Sequence, residues 1–382
     1  MQRVMDEVRD GDLQNFKSNG PAYTRKNFFG KYPETAKLVE DLSDEEINKL
    51  NRGGHDPYKI YAAFHHAINK NGGRPTVILA HTIKGYGFGE AGEAQNTAHS
   101  LKKLDIEQLK SFRDRFAVPL KDEELKDVPY YRPAPDSPEI VYMKKRRQEL
   151  GGFYPKRRKD CQPLQIPDLD IFKAVLEGSG DRKISTTMAF VRILTALTKD
   201  KRIGKRVVPI VPDEARTFGM EGMFRQLGIY TAEGQKYVPE DRDQIMYYRE
   251  DKKGQILEEG INEDGSMAAW MAAATSYSTN NFPLIPFYIF YSMFGFQRVG
   301  DLAWASGDIQ ARGFLIGGTA GRTTLNGEGL QHQDGHSHVL ANTIPNCKAY
   351  DPAYGYEMAV VLRKGMKEMF EDNQNVFYYL TI

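Results

Sequence analysis

The chain has 382 residues, more than the roughly 100–200 of one ordinary domain, so two or three folding units are expected. Its 52 Lys and Arg against 51 Asp and Glu leave a net charge of +1, which supplies no overall field for holding a nucleic acid or an anionic membrane. A hydrophobic share of 40% with 27% charged residues is ordinary for globular chains in water, and no apolar run approaches the roughly 20 residues of a membrane span.

In chain order, residues 1–118 read as the later part of an α/β domain. Pro57 to Asn69 carries apolar Ile60, Ala63, Phe64 and Ile68 at helical spacing, and the β-branched run Pro75 to His81 opens into the glycine-rich loop from Lys84 to Gly89. A helix feeding a buried strand is the unit of a parallel sheet. From 119 to 165 periodicity fades while prolines gather and the basic clusters Lys144 to Arg147 and Lys156 to Lys159 appear, so this span is expected to be a linker with solvated charges.

Residues 166–382 repeat the α/β pattern more fully. Ser185 or Thr186 can cap a helix to about residue 199, and Arg206 to Val211 is a strand stopping at Asp213 and Glu214. The small residues Met267 to Ser278 suit a closely packed helix. Strands are predicted at 284–291, 314–317, 346–350 and 376–381, with helices near 299–311 and 353–371. Such alternation predicts parallel sheets with helices on both faces.

Ligands of such sheets bind beyond the carboxyl ends of the strands. Polar groups expected there are Lys84, the segment Asp213 to Arg216, Tyr291 to Arg298, and the run Gly327 to His338. His332, His336 and His338 with Asp334 have ligand chemistry, yet their spacing matches no helix-face zinc motif, so a substrate-facing loop is the better reading and no metal residue is assigned. Glu263 by itself reads as a carboxylate at a helix start, and the aromatics from Phe287 to Phe296 as core. His99 lies in a long polar loop. Cys161 and Cys347 stand far apart with no ligand spacing, which fits a reducing cytoplasm, and the first residues lack the apolar stretch of a signal peptide.

Read as whole strings, Asn51 to Pro57, Ile78 to Gly87, Asp213 to Gly222, Gln255 to Glu263, Thr275 to Asn281, Tyr291 to Gln297 and Gly318 to His338 resemble the homodimeric pyruvate dehydrogenase family over essentially the entire chain. The resemblance implies a thiamine-diphosphate-binding fold of two consecutive domains. The first, ending at 118, is an incomplete diphosphate-binding domain; the second, 166–382, is the pyrimidine-binding domain; a third, C-terminal domain is absent. It also implies thiamine diphosphate with Mg2+, a homodimer, pyruvate as substrate, and the lipoyl domain of dihydrolipoyl acetyltransferase as partner. The family's Gly-Asp-Gly metal motif occurs nowhere in this chain, so the chain reads as an internal fragment that is inactive alone.

Carried over by position, Glu263 resembles the glutamate that hydrogen-bonds the aminopyrimidine ring nitrogen, while Phe294 and Arg298 belong to the same cofactor-binding region. Tyr291 and His332 would approach the substrate, Glu214 resembles an active-centre acid, and Lys84 a cation beside the cofactor. His99 lies in what resembles a mobile loop and would assist acetyl transfer; a second such loop would span 232–250. Pro212 and Gln333 depart from the family pattern, as do Asp264 and Ser266 before the small-residue helix. Transketolase and the 2-oxoglutarate dehydrogenase component share the fold and the glutamate, but not the strings at 213–222 and 318–338. A chain that only dimerises is the remaining alternative.

Overall fold

The computed structural model describes all residues except 52, 154–157, 159, 214, 241, 243–246 and 321–328. It separates into two units, Met1–Gly151 and Gly152–Ile382. The division falls inside the span read as a linker, and part of that span is helical, Pro138–Glu149.

In the second unit the strands are β1 (Val207–Val211), β2 (Ile229–Tyr230), β3 (Glu250–Asp251), β4 (Leu257–Glu258), β5 (Ile285–Tyr291), β6 (Phe314–Gly318), β7 (Cys347–Tyr350) and β8 (Phe377–Thr381). Six of them form one sheet in the order β4-β1-β5-β6-β8-β7. Every pairing is parallel, with Val207 opposite Ile285, Phe287 opposite Phe314, and Phe314 opposite Tyr378. The strands β1, β5, β6 and β8 are near-continuous apolar runs because a parallel sheet is covered on both faces. The two-residue pleat sorts their side chains. Phe287 and Ile289 pack with Leu194, Leu197 and Leu362 on one face, whereas Tyr288 and Phe290 pack with Trp270 and Ala303 on the other.

The flanking helices start where the sequence places caps. Ser185 accepts from the Met188 N–H, 3.1 Å away, to begin Thr186–Lys199, and Asn262 accepts from Gly265 N–H at 2.9 Å to begin Glu263–Ala274. Gly295 opens the helix Gly295–Asp308, where an added Cβ would lie 2.0 Å from the Phe290 ring; no larger residue lets the chain turn so tightly off β5.

The first unit corrects one expectation. The helix Pro57–Asn69 forms, capped by Asp56, but Pro75 to His81 is not a strand and is not buried: Val77 is 84% and Leu79 92% exposed. A strand is completed by a hydrogen-bonded neighbour, and among the described residues of 1–151 there is none. The run keeps an extended backbone without a ladder, and Tyr58, Phe64 and Ile68 of the helix stay exposed as well.

What orders this unit's glycine loop is Glu93, whose side chain is only 5% exposed. Its carboxylate accepts from the N–H of Gly87 (3.1 Å) and Gly89 (3.3 Å), and Arg115, from the helix Ile106–Arg115, binds both of its oxygens. Burial pushes the Glu93 pKa up, but Arg115 and the Gly87 N–H outweigh it and hold the carboxyl below its ordinary value. Glu93→Gln should therefore speed hydrogen exchange at Gly87 and Gly89 by roughly 10–100-fold, the scale of one lost charge-assisted hydrogen bond. Because the folded pKa is depressed, this contribution is present above the unfolded value and fades as pH falls through the folded one. Exchange measured from neutral to acid pH should show the two proteins converging at the acid end.

Candidate active site

At the carboxyl end of β5 the chain turns through Ser292–Phe294, placing Tyr291 and Phe294 side by side with ring centroids 6.0 Å apart. His332 completes a three-ring assembly. It stacks on Tyr291 (4.9 Å, 24° between planes) and meets Phe294 edge-on (5.2 Å, 66°). Phe218 closes the other side of Tyr291 at 5.2 Å. The Tyr291 hydroxyl donates to Asp213 Oδ2 at 3.3 Å, joining the end of β5 to the end of β1. The turn after β1 is tied in turn to β4, where Glu258 Oε1 accepts from the Ala215 N–H at 2.6 Å.

Glu263 occupies the first turn of its helix with its side chain 13% exposed, and its carboxylate pairs with the guanidinium of Arg298. That guanidinium lies 4.3 Å from the centre of the Phe294 ring. A planar group bearing N–H donors is thus held between an aromatic face and a carboxylate. From β5, the buried Tyr288 hydroxyl donates to the Glu263 carbonyl at 3.3 Å. Burial first, then the charges of Glu263 and Asp264, raise its phenol pKa strongly, so it stays a neutral donor.

Five expected site residues therefore meet in one place: Glu263, Arg298, Phe294, Tyr291 and His332. Glu214 lies outside the described residues, between Asp213 and Ala215. Lys84 and His99 belong to the first unit. Lys84 is exposed at the head of the glycine loop, where its carbonyl accepts from the Ala94 N–H at 2.9 Å. His99 is exposed at the end of the turn Asn96–His99. The second expected loop, 232–250, is described only in part; there the Tyr248 hydroxyl donates to Glu250 at 2.8 Å.

The run read as a substrate-facing loop brings Asp334, His336 and His338 into a second cluster over the ends of β6, β8 and β7, with Thr186, Asp351 and Thr381 as members the sequence did not single out. A cleft of about 730 Å³ there is lined by Thr186, Asp334, His336, His338, Asp351 and Thr381, among others. Thr381 donates its one hydroxyl hydrogen to Asp351 Oδ1 (2.6 Å), so its oxygen accepts from His338 Nε2 (2.9 Å), which fixes that imidazole's tautomer. Asp334 and Tyr379 meet at Ser337. The sequence placed these histidines and Asp334 in one polar loop, but not its pairing with β8, which joins residues more than 40 positions apart. Among the described residues no group of three or more His, Cys, Asp or Glu side chains is placed to hold a metal ion.

Residues 164–382 match the model of the pyruvate dehydrogenase E1 component middle domain. The chain is 64% identical over 382 residues to a protein of Pseudomonas aeruginosa named pyruvate dehydrogenase E1 component, covering 100% of this chain and 43% of that protein. The protein of the same name from Escherichia coli K12 is 58% identical over 381 residues, covering 99% of this chain and 43% of its own length. The chain thus spans less than half the length of these relatives. A transketolase from Pichia stipitis aligns with a TM-score of 0.52 at 13% identity over 94% of this chain and 49% of that one, a likeness of fold.

Proposed function

The chain belongs to the pyruvate dehydrogenase E1 component middle-domain family, and from that premise we propose that the complete polypeptide decarboxylates pyruvate with thiamine diphosphate and passes the acetyl group to the lipoyl group of dihydrolipoyl acetyltransferase. The observation that carries this reading is the carboxylate and aromatic face at Glu263 and Phe294. Arg298 already makes both contacts that a planar nitrogen heterocycle would make there, a stack on Phe294 and a hydrogen bond to Glu263, so these residues fit an aminopyrimidine. When bound, thiamine diphosphate supplies the electron sink that lets a 2-oxo acid lose carbon dioxide.

The chain's own residues have the following parts. Glu263 holds the proton at the pyrimidine ring nitrogen, and Phe294 sets the plane of that ring. Tyr291, kept in place by Asp213, and His332, stacked upon it, present a hydroxyl and an imidazole to the reacting carbonyl and carboxylate. Glu214 is the second acid of this centre. From the first unit, Lys84 supplies a cation beside the cofactor, and His99 a proton-transferring group for the acetyl-transfer stage. Mg2+ is not assigned to residues of this chain, whose sequence lacks the family's Gly-Asp-Gly motif. The family likeness supports a homodimer in which Glu263 faces cofactor held by the partner. The free thiols Cys161 and Cys347 fit a reducing cytoplasm.

The test uses the complete protein supplied with thiamine diphosphate and Mg2+. Pyruvate should reduce an artificial electron acceptor only when the cofactor is present, with 2-oxoglutarate and ketose phosphates turned over far more slowly. Preference for 2-oxoglutarate or for a ketose phosphate would move the protein to a related thiamine enzyme. No turnover of any of them would leave a chain that only associates.

A further inference from the structure

The segment from Gly329 to Ala341 joins the two clusters over the carboxyl ends of the strands. At its first end His332 packs on Tyr291 and Phe294. Two residues on, Asp334 is buried, 5% exposed. Its Oδ1 accepts from the N–H groups of His336 and Ser337, each at 3.0 Å, and its Oδ2 accepts from the Ser337 hydroxyl. Having given its hydrogen to the carboxylate, Ser337 accepts from the hydroxyl of Tyr379 at 2.9 Å. Tyr379 is a fully buried residue of β8, packed edge-on against Phe296 (4.9 Å) and parallel to Phe290 (6.2 Å). The hydroxyl chain therefore anchors a loop carboxylate to the buried interior of the sheet.

We propose that Asp334 is a positioning residue: through Ser337 and Tyr379 it fixes the loop that holds the His332 ring over Tyr291. The lever is short. One residue, Gln333, separates the two, with extended backbone (φ −76°, ψ 108°), so the two Cα atoms are within about 7 Å of each other. A shift at Asp334 reaches His332 with little slack to absorb it. Burial pushes the Asp334 pKa up, but the Ser337 hydroxyl and the two backbone N–H groups outweigh it and keep the carboxyl below its ordinary value, consistent with an ionised anchor. The imidazole of His336 lies 3.7 Å from Oδ1. An Asn has one acceptor oxygen where the loop uses two, so Asp334→Asn loosens the loop, while the aromatic packing of Tyr379 against Phe290 and Phe296 remains.

This inference rests on the reading of His332 as a substrate-facing group, and the experiment separates the two. In the complete, cofactor-loaded enzyme, Asp334→Asn should lower kcat/KM for pyruvate by roughly 10–100-fold, the scale of a small misplacement of a reacting group. Ser337→Ala, which keeps the carboxylate and serves if the Asn variant folds poorly, should give a smaller loss in the same direction. Adding Asp334→Asn to His332→Ala should cost nothing further, because there is no longer a ring to misplace. Independently of turnover, the His332 ring-proton shifts in 13C-histidine-labelled protein should move toward unstacked values in both single variants. Additive losses in the double variant, or an unmoved His332 signal, would overturn the proposal. If His332→Ala alone leaves pyruvate kinetics unchanged, the site reading fails, and the His332 signal in Asp334→Asn still decides the positioning role.

Discussion

Glu263→Ala in the complete, cofactor-loaded protein is expected to slow exchange of the thiazolium C2 proton by at least roughly 10²-fold, the lower range of what a positioned acid–base group contributes. The fold should survive. Asn262 still caps the helix through the Gly265 N–H, and Tyr288 bonds the Glu263 carbonyl, which the Ala variant keeps. The lost side chain makes its pair with Arg298, which is 44% exposed and returns to water at small cost. The lost interaction with the helix dipole is worth only about 0.3–1 kcal/mol. Exchange followed by NMR in deuterium oxide, with far-UV circular dichroism as the control, separates chemistry from folding. An exchange rate equal to that of the parent would sink the role given to Glu263, whatever happens to turnover.

The asymmetry between chemical and structural cost explains why Glu263 was hard to read locally. A glutamate in the first turn of a helix is the ordinary electrostatic solution for a helix start, and nothing within ten residues distinguishes it. Its distinction comes from Arg298 and Phe294, more than 30 positions away, and only the resemblance of whole strings pointed there. The interior strands were legible for the opposite reason. A parallel strand buried on both faces must be apolar along its length, so Ile285–Tyr291 and Phe377–Thr381 announce themselves without knowledge of their neighbours. Caps are equally local, as Ser185 illustrates.

Pro75 to His81 shows where that logic stops. Its β-branched composition is that of a strand, but a ladder is a property of two segments, and the described residues of the first unit offer no second one. Asp334 and Glu93 show the complementary blind spot. Both look like loop carboxylates in sequence, since acidic residues in glycine-rich segments are usually solvated. Each is instead buried because distant groups, Tyr379 through Ser337 in one case and Arg115 in the other, make burial of a charge tolerable. Local pattern reports what a residue prefers; it does not report what long-range partners allow.

His99→Ala should separate two chemical stages that Glu263 cannot. His99 is exposed at the end of the turn Asn96–His99. The loop base is set by Glu93, and by the Ala94 N–H bonded to the Lys84 carbonyl, not by the imidazole. Removing the ring should therefore leave the loop's anchor and the decarboxylation stage nearly intact. With an artificial electron acceptor, turnover of pyruvate is expected to stay within about two-fold of the parent, because acid–base help accelerates only the step that uses it. Reductive acetylation of a lipoyl domain should fall by roughly 10²–10⁴-fold, the usual worth of such help. The two assays must be run on one preparation of the complete protein, so that folding and cofactor loading cancel. Equal losses in both would assign His99 to substrate binding or to loop closure in general, and a loss in neither would return it to a solvated loop residue. Only divergence of the two rates places the imidazole at the transfer step.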